Sequence, residues 1–265
     1  MDPVLLRVCL YFMLAYALSW FGIAGNWIWP SPGWPTPINP LGPLLAAPLL
    51  LWMLDGRAAM GAWWRRISTV RAPIRIYALA FFVPLAIIGA AVLLSRAVGT
   101  PAGPLPAYSA GDWLMGIPLV AVFGPAPEES GFRGLAQHEL QQILSPFAAA
   151  LWIGAGVAIW HIPLFLLDDL PPVISVTLLA VSVVYAWLFI AGGSIWPLVT
   201  LHFVQNYFGG QYFGRMFAPK DSHVWLGFLT LFYAIWVAIL LWKCGPALGL
   251  RQGEVLPSSI PRQLK

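Results

Sequence analysis

The sequence is poor in charged residues. Only 9% of its 265 residues are Asp, Glu, Lys or Arg, while 60% are hydrophobic, and a soluble domain usually carries about 25% charged residues. This shortage argues against a soluble globular domain. The basic residues lie at the ends of apolar segments, so the formal net charge of +4 does not indicate a nucleic-acid partner.

Cysteine and familiar metal motifs are also scarce. Cys9 and Cys244 lie in the first and last apolar segments, and neither has a CxxC or other ligand spacing. We therefore expect both to be small apolar side chains. The pair His138-Glu139 does not begin an HExxH zinc-protease motif, because Gln142 stands where the second His is required. We expect this pair on a solvated helix face.

Long apolar runs dominate what is present, and several reach the roughly 20 residues that cross about 30 Å of hydrocarbon. We predict an all-α polytopic membrane protein, a single integral membrane domain over residues 1–265. About eight transmembrane helices are expected. The predicted spans are 4–27, 41–54, 74–98, 112 into Glu128, 147–167, 173–191, 195–208 and 225–242.

The connecting segments have the composition of linkers and interfaces. We predict a proline-rich linker at 31–40, an interfacial helix around 62–67, a polar helix at 134–144 and a loop at 209–224. We also expect residues 245–265 to form a flexible cytoplasmic tail.

Lys and Arg are distributed unequally between the two sides of the membrane. With eight spans, both termini and nearly all basic residues share one side, which the positive-inside rule makes cytoplasmic. We therefore expect a multi-pass protein of the plasma (inner) membrane with both termini in the cytoplasm. The basic residues assigned to the opposite side are Arg96, Arg215 and Lys220.

Ionisable and amide side chains interrupt a few of the apolar segments. Glu128 and Glu129 directly follow an apolar run, His161 lies inside the fifth predicted span, and His202 and Asn206 lie in the seventh. An ionisable residue at membrane depth is costly, so its default interpretation is functional.

The chemistry of these groups is complementary. Withdrawal from water makes a carboxylate a usable general base near neutral pH. His202 and Asn206 are spaced i, i+4 and share one helix face, from which they could donate hydrogen bonds to an oxyanion. Glu129 and Arg133 have the same spacing, which favours a structural ion pair that supports the site.

The stretch from Glu128-Glu129 to Arg133 resembles the EExxxR signature of the CPBP intramembrane proteases, the family of type II CAAX prenyl endopeptidases and bacteriocin-processing enzymes. His161 matches the second motif of that family, FxxxH, although Val157 replaces its Phe. The stretch from His202 to Asn206 matches the third motif, HxxxN. The resemblance covers residues 121–207, which we take as the catalytic core.

The resemblance implies an eight-helix membrane fold with a catalytic cavity that faces the cytoplasm. It also implies hydrolysis of a peptide bond in a membrane-associated substrate, either a prenylated CAAX-type protein or a leader peptide. In the implied roles, Glu128 activates water, His161 helps to hold that water, and His202 and Asn206 stabilise the oxyanion.

Several alternatives stay open at this point. Glu128, His161 and His202 are acceptable zinc ligands, and a metal-free glutamate mechanism is equally open. Intramembrane carboxylates and histidines also serve as proton relays, so a proton- or ion-coupled transporter is a second candidate. A third is a non-catalytic scaffold or immunity protein. The expected partners are the lipid bilayer and a peptide or lipidated protein substrate.

Overall fold

The computed structural model describes residues 2–28, 38–167 and 170–250. Within these ranges the chain is helical and contains no strand. Most of the predicted proline-rich linker and the acidic pair Asp168-Asp169 lie outside the described residues. So does the predicted tail beyond residue 250, whereas its first residues form a 3-10 helix, Gly245–Ala247, that leaves Leu248 buried.

The α-helices follow one another with short connections. Their bounds are α1 Pro3–Ile28, α2 Gly42–Ser68, α3 Ile74–Ala97, α4 Ala110–Val122, α5 Pro125–Gly131, α6 His138–Leu140, α7 Pro146–Trp160, α8 Ile162–Leu166, α9 Ile174–Gly192, α10 Trp196–Val204 and α11 Ser222–Cys244. Two π-helices, Phe132–Gln137 and Gln205–Phe213, join α5 to α6 and extend α10. Two further 3-10 helices, Gly214–Met216 and Pro219–Asp221, lead into α11.

In the described part of the chain, five helices are long and apolar enough to span a membrane: Pro3–Phe21, Gly42–Ser68, Ile74–Ala97, Ile174–Gly192 and Pro219–Ala247. The helix Pro146–Trp160 is apolar but shorter. The prediction of an all-α polytopic membrane protein is therefore confirmed. The predicted number of eight spans stays a prediction, because the fourth, fifth and seventh correspond to shorter or broken helices.

The end predicted for the second span lies close to a break in α2. The helix bends at Gly56, where φ is 77°, and a second helical segment follows up to Ser68, which includes the interfacial helix predicted around 62–67. Glycine tolerates this left-handed backbone since it has no Cβ. The loop predicted at 209–224 is largely helical, since the π-helix Gln205–Phe213 runs through Gly209-Gly210 and α11 begins at Ser222.

The solvated helix predicted at 134–144 is also wrong over its first half. His138 and Glu139 are each only 6% exposed, because α1 and α2 pack over this segment. Their polar surroundings come from those helices: Arg7 Nε lies 3.8 Å from Glu139 Oε2, and Arg66 donates a 2.6 Å hydrogen bond to the carbonyl of Gly134.

The segment from α5 to α6 lies at the centre of the molecule. Gly131 lies directly against the Tyr11 hydroxyl of α1 and the Pro43 carbonyl of α2, where a Cβ would have no room. Trp63 in α2 donates a 3.1 Å hydrogen bond to the carbonyl of Ser130. This close packing holds the two glutamates, Glu128 and Glu129, at fixed positions above the core.

Candidate active site

A cavity of about 770 Å³ opens between the helices that carry the predicted motifs. Its walls come from α3, α4, α5, α9 and α11 together with the ends of α7 and α10. The predicted catalytic and supporting side chains all line it: Glu128, Glu129, Arg133, His161, His202 and Asn206. Residues separated by up to 78 positions in the sequence (206 − 128) are thus brought to one space.

Glu129 is the most enclosed group of the site and has two partners. Its Oε1 accepts a 2.8 Å hydrogen bond from His202 Nδ1. Its Oε2 lies 3.2 Å from Arg133 Nη1, and both side chains of this ion pair are almost fully buried. Because the carboxylate accepts at Nδ1, the other ring nitrogen of His202, Nε2, is left for the cavity.

Glu128 has a different environment. Its Oε2 lies 3.9 Å from His202 Nε2, which is longer than a direct hydrogen bond. A Cβ added at Gly124 would lie 3.8 Å from Glu128 Oε1 and 3.5 Å from Asn206 Nδ2. The Glu128 carboxylate and the Asn206 amide therefore both lie beside Gly124. Neither group is held by structural partners as Glu129 is.

His161 follows the last residue of α7, and its ring is held by the backbone. Nδ1 lies 2.8 Å from the carbonyl of Val157, and since a carbonyl only accepts, Nδ1 is the donor and Nε2 is left free of this bond. The ring also stacks on Phe165 with centroids 6.3 Å apart. The residue type at 157 does not matter for the hydrogen bond, because the contact is made by the main chain.

Three further side chains complete the arrangement, and the sequence motifs did not single them out. Ser182 Oγ accepts a 2.9 Å hydrogen bond from Arg133 Nη2. The Arg133 guanidinium lies 4.6 Å from the centre of the Tyr185 ring, and the Tyr185 hydroxyl donates a 2.7 Å hydrogen bond to Gln205 Oε1.

A sequence signal for two of these residues does exist. Ser182 and Tyr185 lie three residues apart in an otherwise apolar helix, α9, so they share a face. A lone hydroxyl in a membrane helix is commonplace, which is why only their position beside Arg133 makes them recognisable.

Comparison with known families identifies the region that carries this geometry. Residues 110–208 match the family model described as type II CAAX prenyl endopeptidase Rce1-like. Over these residues the chain is similar to this family. The matched region begins with α4 and ends inside the second π-helix, so it contains all three motifs. No curated protein matches the chain significantly.

This match confirms the resemblance seen in the motifs and supports CAAX-type endopeptidase activity in the membrane in general terms. It does not extend to α1, α2 or α3, which lie before the matched residues.

The sequence leaves zinc ligation by Glu128, His161 and His202 open. Within residues 2–28, 38–167 and 170–250, no three His, Cys, Asp or Glu side chains lie close enough together to hold a metal ion. Glu128, His161 and His202 share the cavity but are not arranged as a three-ligand centre.

Proposed function

We propose that this protein is an intramembrane endopeptidase that hydrolyses a peptide bond with a water molecule activated by Glu128. The observation that supports this function is the convergence of Glu128, His202 and Asn206 on one cavity, with Glu129 fixing the orientation of His202. Membrane-associated peptides, prenylated or derived from leader sequences, are the proposed substrates.

Glu128 is the better base of the two adjacent carboxylates. Oε1 of Glu129 accepts hydrogen bonds from His202 and Arg133, and Oε2 is buried beside the Arg133 guanidinium, 3.2 Å from Nη1. A general base needs an accessible lone pair within hydrogen-bond reach of the proton that it removes. Glu128 meets this condition because its carboxylate lines the cavity without an ion-pair partner at hydrogen-bond distance.

In the proposed reaction, Glu128 takes one proton from water while the water oxygen attacks the carbonyl carbon of the substrate. The carbonyl oxygen becomes negatively charged. Asn206 Nδ2 donates a hydrogen bond to it, and so does Nε2–H of His202 in its doubly protonated form, whose positive charge the Glu129 carboxylate stabilises. The carbon–nitrogen bond then breaks, and Glu128 returns its proton to the leaving nitrogen. The products are a carboxylic acid and an amine, and Glu128 is regenerated.

His161 is proposed to hold the attacking water. Its Nδ1–H is occupied by the backbone carbonyl of Val157, so Nε2 carries a lone pair that can accept a hydrogen bond from water. This gives the cavity that Glu128 lines a second acceptor, which would help to set the direction of attack.

The test is cleavage of prenylated CAAX-type and leader-type peptides by the purified protein and by its Glu128→Gln variant. A general base contributes about 10²- to 10⁴-fold, so we expect a loss of this size in kcat with the thermal stability retained. Asp112→Asn, the same carboxyl-to-amide change at an exposed residue of α4, is the matched control.

Unchanged cleavage by Glu128→Gln would reject this residue as the base. If the wild-type protein cleaves neither peptide and instead carries out proton-coupled uptake in liposomes, the transporter becomes the better function.

A further inference from the structure

The catalytic cavity lies toward one end of the helix bundle. It is lined by the N-terminal part of α9, from Ile174 to Tyr185, and by the N-terminal part of α11, from Ser222 to Leu229. From α7 and α10 it receives only residues near or beyond their C-terminal ends. The cavity therefore opens at the end where α7 and α10 finish and where α9 and α11 begin.

Exposed residues mark the opening, which we call the mouth: Gly210, Gln211, Arg215 and Pro219. The start of α4 lies at the same end, because the Tyr108 hydroxyl donates a 2.6 Å hydrogen bond to the carbonyl of Gln211. The segment after α3 lies there too, since Gly103 donates a 2.7 Å backbone hydrogen bond to Met216.

The opposite end of the molecule is closed. It carries the segment 57–75, and no residue of that segment lines the cavity. Trp196 Nε1 donates a 2.9 Å hydrogen bond to the carbonyl of Ile67, and Ser194 Oγ donates a 2.6 Å hydrogen bond to the carbonyl of Thr69. These bonds, with that of Trp63 to Ser130, pack α2 beneath the catalytic glutamates.

The first residues of α1 and the last residues of α11 also lie at the closed end. Arg7 in α1 pairs with Asp55 and lies near Glu139. The helix α11 starts at the mouth with Ser222, and a rise of 1.5 Å per residue places Lys243 roughly 32 Å away along the helix axis.

The two ends differ in positive charge. In the described part of the chain, the mouth end carries Arg96, Arg215 and Lys220. The closed end carries Arg7, Arg57, Arg65, Arg66, Arg71, Arg75 and Lys243. Lys and Arg near the ends of membrane helices accumulate on the cytoplasmic side. The closed end is therefore the one with the cytoplasmic signature.

The two sequence expectations, a cytoplasm-facing cavity and cytoplasmic termini, cannot both be true of this architecture. We propose that the cavity opens on the side of the membrane away from the cytoplasm, and that the protein acts on peptide segments exposed on that side. The statement about substrates rests on the proposed endopeptidase activity, whereas the statement about orientation does not.

The orientation can be measured by cysteine labelling, because the chain has only Cys9 and Cys244 to remove. In a Cys9→Ala, Cys244→Ala background, Gly210→Cys reports on the mouth. Gly210 is exposed, and a Cβ there meets no atom within 4 Å. Ala218→Cys is a second exposed position at the mouth end, and Ser68→Cys reports on the closed end. None of these three changes alters the charge.

A membrane-impermeant maleimide is added to intact spheroplasts and, in parallel, to permeabilised ones, in which labelling also shows that each variant is present. We expect Gly210→Cys and Ala218→Cys to be labelled in intact spheroplasts and Ser68→Cys only after permeabilisation. Labelling of Ser68→Cys in intact spheroplasts, or of the two mouth positions only after permeabilisation, would overturn the proposal.

Sealed membrane vesicles test the substrate side. Added peptide should be cleaved by right-side-out vesicles, and cleavage confined to inside-out vesicles would contradict the proposal. If neither preparation cleaves the peptide, the proposed endopeptidase function has failed, and the labelling result still decides the orientation.

Discussion

Glu129 stabilises the site by joining two helices through one carboxylate. It pairs with Arg133 on its own segment and with His202 on α10, and its side chain is completely buried. Removing one partner of a buried ion pair costs about 3–5 kcal/mol, because the remaining charge is left uncompensated. Glu129 is therefore a structural residue as well as a positioning one.

For Glu129→Gln we predict a loss of both stability and cleavage. The amide oxygen can still accept from His202 Nδ1, but it no longer neutralises Arg133, so the free energy of unfolding should fall by several kcal/mol. The measurement is thermal unfolding in detergent beside the peptide cleavage assay. Glu128→Gln is the comparison, since we expect it to lose activity alone. Equal stability of the two variants would contradict this division of roles.

His138 makes stability depend on pH. It is buried between α1 and α2, and burial, together with the nearby Arg66, lowers the pKa of its imidazole from 6.5 to about 3. In the unfolded chain the same group takes up a proton below about pH 6.5. Stability is therefore fully present above that pH and is lost as the pH falls toward 3, by about 1.4 kcal/mol per pH unit.

The corresponding prediction compares the wild type with His138→Gln. Between pH 6.5 and pH 5, the melting temperature of the wild type should fall more steeply than that of His138→Gln. Above pH 7 the melting temperatures of both proteins should be insensitive to pH. Parallel curves below pH 6.5 would show that His138 does not carry the dependence.

At the scale of elements, α5 is held in place by the absence of a side chain at Gly131. A Cβ at this position would lie 2.7 Å from the carbonyl carbon of Pro43, which is backbone of α2 and cannot rotate away. Close approach of helices through small residues is the usual way in which membrane helices pack. The motif residues are therefore positioned by the spacing between α5 and α2.

We predict that Gly131→Ala destabilises the protein by about 1–3 kcal/mol, the usual cost of overpacking, and that it lowers cleavage because Glu128 and Glu129 move with α5. Gly227→Ala in α11 is the matched control, since a Cβ there meets no atom within 4 Å. Thermal unfolding and cleavage of both variants check this. A Gly131→Ala protein as stable as the control would show that α5 can shift without cost.

The helix α4 shows why one predicted span became two elements. None of its residues is buried, and the chain turns at Phe123-Gly124 before α5 begins at Pro125. Apolar composition predicts that this stretch lies in the membrane, but it does not reveal the break. The sequence is equally compatible with a new helix that has Pro in its first turn and with one longer helix that has a kink at Pro.

At the scale of the whole molecule, the side chains that line the cavity are reached through the mouth. We predict that Gly210→Trp, which places an indole in the opening, lowers kcat/KM for peptide cleavage by roughly 10- to 100-fold, the range that steric changes in a binding pocket produce. Gly227→Trp adds the same side chain at an exposed position outside the cavity. Both variants should keep the wild-type melting temperature.

Kinetics of the two tryptophan variants check this prediction. Unimpaired cleavage by Gly210→Trp would show that the peptide reaches Glu128 by another route, such as from the bilayer past α4.

The sequence alone determined the membrane class of the protein and the identity of its motif residues. Both follow from composition and short-range spacing: apolar runs long enough to cross hydrocarbon, and Glu128, His161 and His202 at positions where a polar side chain is costly. For the same reason the Glu129–Arg133 pair was predictable, since i, i+4 spacing on a helix brings the two side chains together.

Only the tertiary structure decided how these groups differ from one another. That Glu129 binds His202, that His138 is buried, and that Ser182 holds Arg133 are contacts between segments far apart in the chain. The position of the mouth at the end opposite segment 57–75 depends likewise on how the helices pack. Hydrophobic periodicity identifies which stretches are embedded, but the partner of each buried polar group is set by packing.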